Sequence, residues 1–144
     1  MITHFNNTTL REKTIWTERN EITGCIYNVP VRIKDTIPLL NKLYVIEMNN
    51  EMNQIIGIGK IINIIRTDQK CSIYNDNNYN RFTYRGKYYI EREKIHGIDI
   101  STLETRLFKG KSHLKRGQGI LQVPKDISIT YLSDLNKLFN SYNF

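Results

Sequence analysis

Lys42-Leu43-Tyr44-Val45-Ile46-Glu47-Met48, Asn49-Asn50-Glu51-Met52-Asn53 and Gln54-Ile55-Ile56-Gly57-Ile58-Gly59-Lys60-Ile61-Ile62-Asn63-Ile64-Ile65 follow one another in the middle of the chain. The first and third stretches are rich in β-branched and aromatic residues, and the second is a polar turn. Leu43 to Met48 therefore predicts a strand and Gln54 to Ile65 its return partner. The near-continuous isoleucine of the return strand implies burial on both faces or a strongly curved path. Gly57 and Gly59 are two residues apart and so share one face. Lacking side chains, they leave that face open to a bend, a bulge or the close approach of another group.

Upstream, Ile22 to Val29 reads as a strand stopped by Pro30, and residues 1–21 as an irregular polar arm anchored by Trp16. Asp35-Thr36 ahead of Pro38 predicts a brief capped helix to about Lys42. Downstream, Cys71 to Asn75 is a further strand candidate. Tyr79 to Arg85 and Tyr88 to Arg92 flank Gly86-Lys87, and glycine first in a two-residue loop predicts a type II′ hairpin. That hairpin would put Tyr79, Arg81, Thr83 and Arg85 on one face and Asn80, Phe82 and Tyr84 on the other. Ser101-Thr102-Leu103-Glu104 is a capping box and predicts a helix from Thr102 to Phe108. Lys109 to Gly119 reads as a basic loop, Ile120 to Val123 as a last strand, and Ser133 as the cap of a terminal helix with Leu135, Leu138 and Phe139 on one stripe. Strands in the middle with helices at the edges give an α+β class or a small barrel. At 144 residues the chain reads as a single domain. It divides into an arm (1–21), a barrel (22–125) and a C-terminal helix (126–144).

The charge is uneven. Residues 81–125 hold eleven Lys/Arg against four Asp/Glu, whereas the first eighty hold nine against eight, so the net +7 belongs to one segment. Basic residues interleaved with aromatics and glycines suit a polyanion whose bases can stack. The composition lacks alanine and carries twenty-two isoleucines and sixteen asparagines, as an A/T-rich coding sequence would produce. Cys25 and Cys71 have no CxxC spacing and read as reduced, buried thiols in an intracellular protein, cytoplasmic or nuclear. No apolar run reaches the ~20 residues of a membrane span, and the first residues lack a signal-peptide pattern. His4, His96 and His113 are isolated from one another, so neither a metal nor any other cofactor is expected. Gly110-Lys111-Ser112 has only the tail of a phosphate loop. His113 with Lys115 is the one arrangement that could serve a metal-independent nuclease.

Cys25-Ile26-Tyr27-Asn28-Val29-Pro30, then Lys42 to Met48, then Ile55-Ile56-Gly57-Ile58-Gly59-Lys60-Ile61 resemble, in that order, the opening strands of PUA-like barrels, particularly the EVE and YTH branches. The resemblance covers about residues 22–65. It implies a small, strongly curved β-barrel flanked by short helices, with a pocket that holds a flipped base between aromatic rings. By position it places Tyr27 and Asn28 in that pocket. The YTH cage is rich in tryptophan and this chain has one, so a modified nucleotide, an RNA end and unmodified RNA all remain open as ligands.

The residues and the resemblance together lead to a nucleic-acid-binding domain, RNA favoured, without catalytic residues and without a membrane partner. Trp16, Tyr27, Asn28, Tyr79 and Gln118 are expected to hold the base; Arg81, Arg85, Lys109, Lys111, Lys115 and Arg116 are expected to meet phosphates. The competing classes are the small nuclease and a protein–protein module that docks an acidic partner.

Overall fold

A computed structural model describes all of residues 1–144 and shows an α+β protein. Six strands are present: β1 (Ile2–Phe5), β2 (Cys25–Val29), β3 (Lys42–Asn49), β4 (Gln54–Ile62), β5 (Phe82–Gly86) and β6 (Tyr88–Glu91). Three helices accompany them: α1 (Asn7–Arg19), α2 (Ile100–Phe108) and α3 (Lys125–Ser141). One mixed sheet has the order β1-β3-β4-β6, with β1 parallel to β3 and the other pairs antiparallel; β2 and β5 form a second, antiparallel pair. The β3–β4 hairpin forms where the isoleucine pattern places it. At its turn end Glu47 pairs Gly57 while Met48 pairs Ile55, so Ile56 is an extra residue and the strand bulges.

The four-stranded sheet is buried on both faces. Ile46, Met48, Ile58 and Ile90 pack against Leu103 and Leu107 of α2 and Leu138 and Phe139 of α3. Val45 and Ile61 point the other way, into a cluster with Tyr27, Tyr84, Ile73 and Phe5. Burial on both faces accounts for Ile55, Ile58 and Ile61 of β4, at roughly 1.5–3 kcal/mol for each fully buried side chain, whereas Ile62 is 42% exposed.

Several expectations need correction. The hairpin about Gly86-Lys87 does not form: β5 pairs β2 and β6 pairs β4, so residues 82–91 run as one bent strand between the two sheets. A Cβ on Gly86 would overlap the Lys60 carbonyl oxygen, so glycine stands there to let β5 lie against β4, not to turn the chain. Residues 1–21 are not an irregular arm but β1 and α1; Asn6 caps α1, its side chain accepting from Thr9 N while Thr9 Oγ1 accepts from Asn6 N. Residues 35–42 form turns, with Leu40 at φ +66°, and no helix. Residues 71–75 and 120–123 form no strand beyond one bridge, Leu121 with Ile2. α2 begins two residues earlier than expected, with Asp99 as its cap, and α3 begins at Lys125 directly after Pro124. Cys25 and Cys71 are free and buried. No helix is long and apolar enough to cross a membrane.

Candidate functional site

A hollow of about 220 Å³ opens between the outer edges of β1 and β2, where neither strand has a sheet partner. Its walls come from the ends of both strands, the first turn of α1, Asn50 after β3, the rings of Tyr74 and Tyr79, and Gly117-Gln118-Gly119. The glycine loop is strapped to β1 from several sides. Thr3 Oγ1 donates to Gly119 O at 3.1 Å, and the His4 ring reaches Leu114 O at 2.6 Å and Gly117 O at 3.3 Å. Asn50 Nδ2 donates to Lys115 O at 2.9 Å. Each ring nitrogen of His4 faces a carbonyl oxygen, which accepts only from an N–H.

The loop needs its glycines. Gly117 and Gly119 have φ of +101° and +80°, and a Cβ on Gly119 would lie 2.8 Å from Val31 Cγ2. Gln118 is held between them, exposed. Across the chain, Tyr79 is 38% exposed and meets the buried Tyr74 edge-on, with ring centroids 6.1 Å apart and planes at 73°. Burial first, and then the charges of Glu47 and Glu12, push the Tyr74 hydroxyl far up, so it stays neutral. Asn50 Oδ1 is buried without a hydrogen-bond partner, a lone acceptor on a residue that lines the hollow.

Four of the five residues expected to hold a base, Tyr27, Asn28, Tyr79 and Gln118, line this one hollow, yet only two have side chains free to act. Tyr27 is 1% exposed and its hydroxyl donates to Glu47 at 2.6 Å, so its ring is committed to the interior. Asn28 is also spent: Nδ2 donates to Cys71 O and Asn80 Oδ1, and Oδ1 accepts from Thr83 Oγ1 at 2.6 Å. These bonds tie β2 to β5 and to the 71–80 segment. Trp16 lies elsewhere: half-buried on α1, it borders a separate depression with Asn20, Ile22 and residues 69–72.

The basic residues divide into two groups. Lys115 and Arg116 directly precede the glycine loop, and Lys109 and Lys111 are exposed on the turn after α2 without lining the hollow. Arg81 lies instead in a groove with Arg32, Arg66 and Lys70, where Arg32 and Arg81 approach the Phe82 ring at 4.9 and 5.7 Å from its centroid. Arg85 is half-buried opposite Ile26 on β5. Asn77, Asn80 and Arg81 line the groove while Tyr79 lines the hollow, so one short segment borders both. His113 Nδ1 accepts from the backbone N–H of Lys115 at 3.2 Å. No three His, Cys, Asp or Glu side chains come together as metal ligands.

Asn50, Asn6 and Thr9 also line the hollow, and no pattern in the sequence singles them out. A buried ion pair, Lys13 with Glu47 at 3.2 Å, lies at the Tyr27 hydroxyl and was likewise not foreseen. The available signal for that pair was a single carboxylate at Glu47 inside an apolar strand, which requires a partner. No protein-family model, no curated protein and no solved structure matches this chain.

Proposed function

We propose that the chain is a non-catalytic nucleic-acid-binding domain, RNA favoured, that holds one base or modified nucleotide in the hollow between Tyr79 and Gln118. The reading includes a PUA-like barrel of the EVE and YTH type, with the bent strand of residues 82–91 as the wall joining its two sheets. The observation that carries it is the meeting in one hollow of an exposed ring and an exposed amide, the latter directly after a Lys-Arg pair.

Each part has a physical task. Tyr79, braced edge-on by Tyr74, offers a face on which a base stacks for ~1–3 kcal/mol. Gln118 offers a donor and an acceptor to a base edge. Lys115 and Arg116 neutralise phosphates on one side, with Lys109 and Lys111 beyond them. On the other side, the backbone crosses Tyr79 into the groove of Arg81, Arg32, Arg66 and Lys70, with Arg85 behind. Tyr27 and Asn28 set the position of the β2 edge and do not touch the ligand.

Fluorescence anisotropy with labelled single-stranded RNA and DNA tests this. Tyr79→Ala is expected to weaken RNA binding ~10-fold, equivalent to ~1.4 kcal/mol. Replacing Lys115 and Arg116 by Glu should lower the slope of log K against log salt by about two. The RNA should be recovered intact. Affinity untouched by both changes would sink the proposal, and cleavage abolished by His113→Ala would replace it with the nuclease.

A further inference from the structure

A second hollow, of about 250 Å³, lies against the other half of α1 and shares no lining residue with the first. Its polar end is the Glu47 carboxylate, 2% exposed, toward the turn end of β3. Glu47 accepts from Tyr27 Oη at 2.6 Å, Lys13 Nζ at 3.2 Å and Tyr89 Oη at 3.3 Å. The Lys13 ammonium also lies 4.3 Å from the Tyr27 ring centroid and 4.8 Å from that of Phe5. β4 leaves space for this arrangement: a Cβ on Gly57 would overlap Tyr89 Oη, and one on Gly59 would overlap Tyr27 Oη. The two glycines that share a face are therefore sites where tyrosine hydroxyls reach a buried carboxylate.

Stability does not account for such a centre. Burying two charges costs several kcal/mol per ion, and hydrocarbon of similar volume often serves the fold as well or better. The ion pair beside the other face of the sheet, Arg92 with Glu104, is less deeply buried, its side chains 32% and 16% exposed against 11% and 3% for Lys13 and Glu47. The ion pair is also not sealed, since Lys13 and Glu47 both line the hollow, beside walls of Leu10, Ile22, Ile26 and Ile56. Neither member is saturated. Lys13 has three N–H donors and a single protein acceptor, and Glu47 accepts three bonds where a carboxylate has about four sites.

We infer that this hollow is a second ligand site, for a small neutral ring that presents an N–H donor beside a C=O acceptor, the edge of a lactam-type heterocycle. The N–H is directed to Glu47 and the carbonyl to Lys13. Formal charge is excluded by the pair itself: an anion meets Glu47 and a cation meets Lys13, each in a low-dielectric site where repulsion is strong. The apolar walls favour a flat, largely hydrocarbon body, and the volume suits one ring. Burial first, and then the Glu47 charge, push the neighbouring Cys25 thiol up to about 11, so it adds no charge to the wall. The site stands independently of the nucleic-acid reading.

Uracil is the probe, titrated into the isotopically labelled full chain and followed by amide chemical shifts. Uracil is expected to saturate with Kd ~1 mM and to shift Thr14, Thr17, Cys25 and Ile26. 1,3-Dimethyluracil, which lacks the N–H, and orotate, which adds a carboxylate, should each bind at least ~10-fold more weakly. Ile56→Trp narrows the hollow without touching the ion pair, and should abolish the uracil shifts while leaving RNA affinity at the Tyr79 hollow unchanged. Absence of saturation at 10-fold above that Kd, shifts confined to Tyr79 and Gln118, or orotate binding as well as uracil would each overturn the assignment.

Discussion

The two faces of the four-stranded sheet are built from alternate residues of the same strands and differ in kind. Ile46, Met48 and Ile58 face α2 and α3 across an interior of hydrocarbon, whereas Val45, Glu47 and Ile61 face Tyr27, Tyr84, Tyr89 and Lys13. The first face excludes water from methyl groups, and its energy grows with area. The second holds a carboxylate and an ammonium in a network of fixed bonds, which costs desolvation and returns specificity of shape. Both candidate ligand hollows open on the second side, as expected if the helical side supplies the stability that the polar side spends.

The contrast can be broken most severely on the hydrocarbon face. Phe139→Ala removes a fully buried ring and should cost about 3–5 kcal/mol in urea unfolding; a loss below about 1 kcal/mol would mean that the helical face is not the main store of stability. On the polar face, Gly59→Ala forces a methyl group into the Tyr27 hydroxyl and should cost about 1–3 kcal/mol, with the uracil response lost as well. Stability lost with the response intact would show that the ion pair is structural only. Removing the α1 cap by Asn6→Ala should cost about 1 kcal/mol and raise amide exchange in residues 8–12.

The smallest effect separates the faces by acid. α1, on the polar side, is capped by an amide, and α2, on the hydrocarbon side, by Asp99. The Thr102 hydroxyl first, and its backbone N–H second, hold the Asp99 carboxyl below the usual carboxylate range. A group whose folded value is depressed contributes above its unfolded value, near 3.9, and loses that contribution as pH falls through the folded one. Between pH 5 and about pH 3, amide protection in residues 102–105, corrected for intrinsic rates, should therefore fall further than in residues 9–12. Equal losses would remove the asymmetry between the caps.

How much of this was legible in the sequence varies with how local each signal is. β3 and β4 were readable because alternation, turn and β-branching all sit within twenty-four residues, Lys42 to Ile65. Gly86 misled because a glycine required by a close approach looks the same in sequence as one required by a turn; its partner, Lys60, is twenty-six positions away. α1 was missed because its cap is an Asn–Thr pair and not the Ser/Thr–Glu pattern, and because its one buried residue is Lys13. The start of α3 was hidden by Ile129 and Leu132, which are 81% and 52% exposed and blur the apolar stripe ahead of Ser133.

The hollow was found in outline only. Tyr79 and Gln118 were identifiable as a ring beside basic residues and an amide between glycines. Tyr27 and Asn28 line the hollow, but their side chains are taken by Glu47, Cys71, Asn80 and Thr83, bonds that no local pattern reports. Trp16 was singled out for its polar surroundings in sequence, whereas in space it adjoins the Phe5–Tyr27 cluster.

The straps between the first strand and residues 114–121 also bear on synthesis. Ile2 exchanges backbone bonds of 2.8 Å in both directions with Leu121, more than a hundred residues later. A ribosome must therefore release most of the polypeptide before the wall containing Gln118 can close, although the β3–β4 hairpin can form far earlier. Such late, sequence-distant closure slows maturation relative to helical proteins of this size. It also leaves the incomplete chain with an unpaired β1 edge, which is where chaperones would be expected to act.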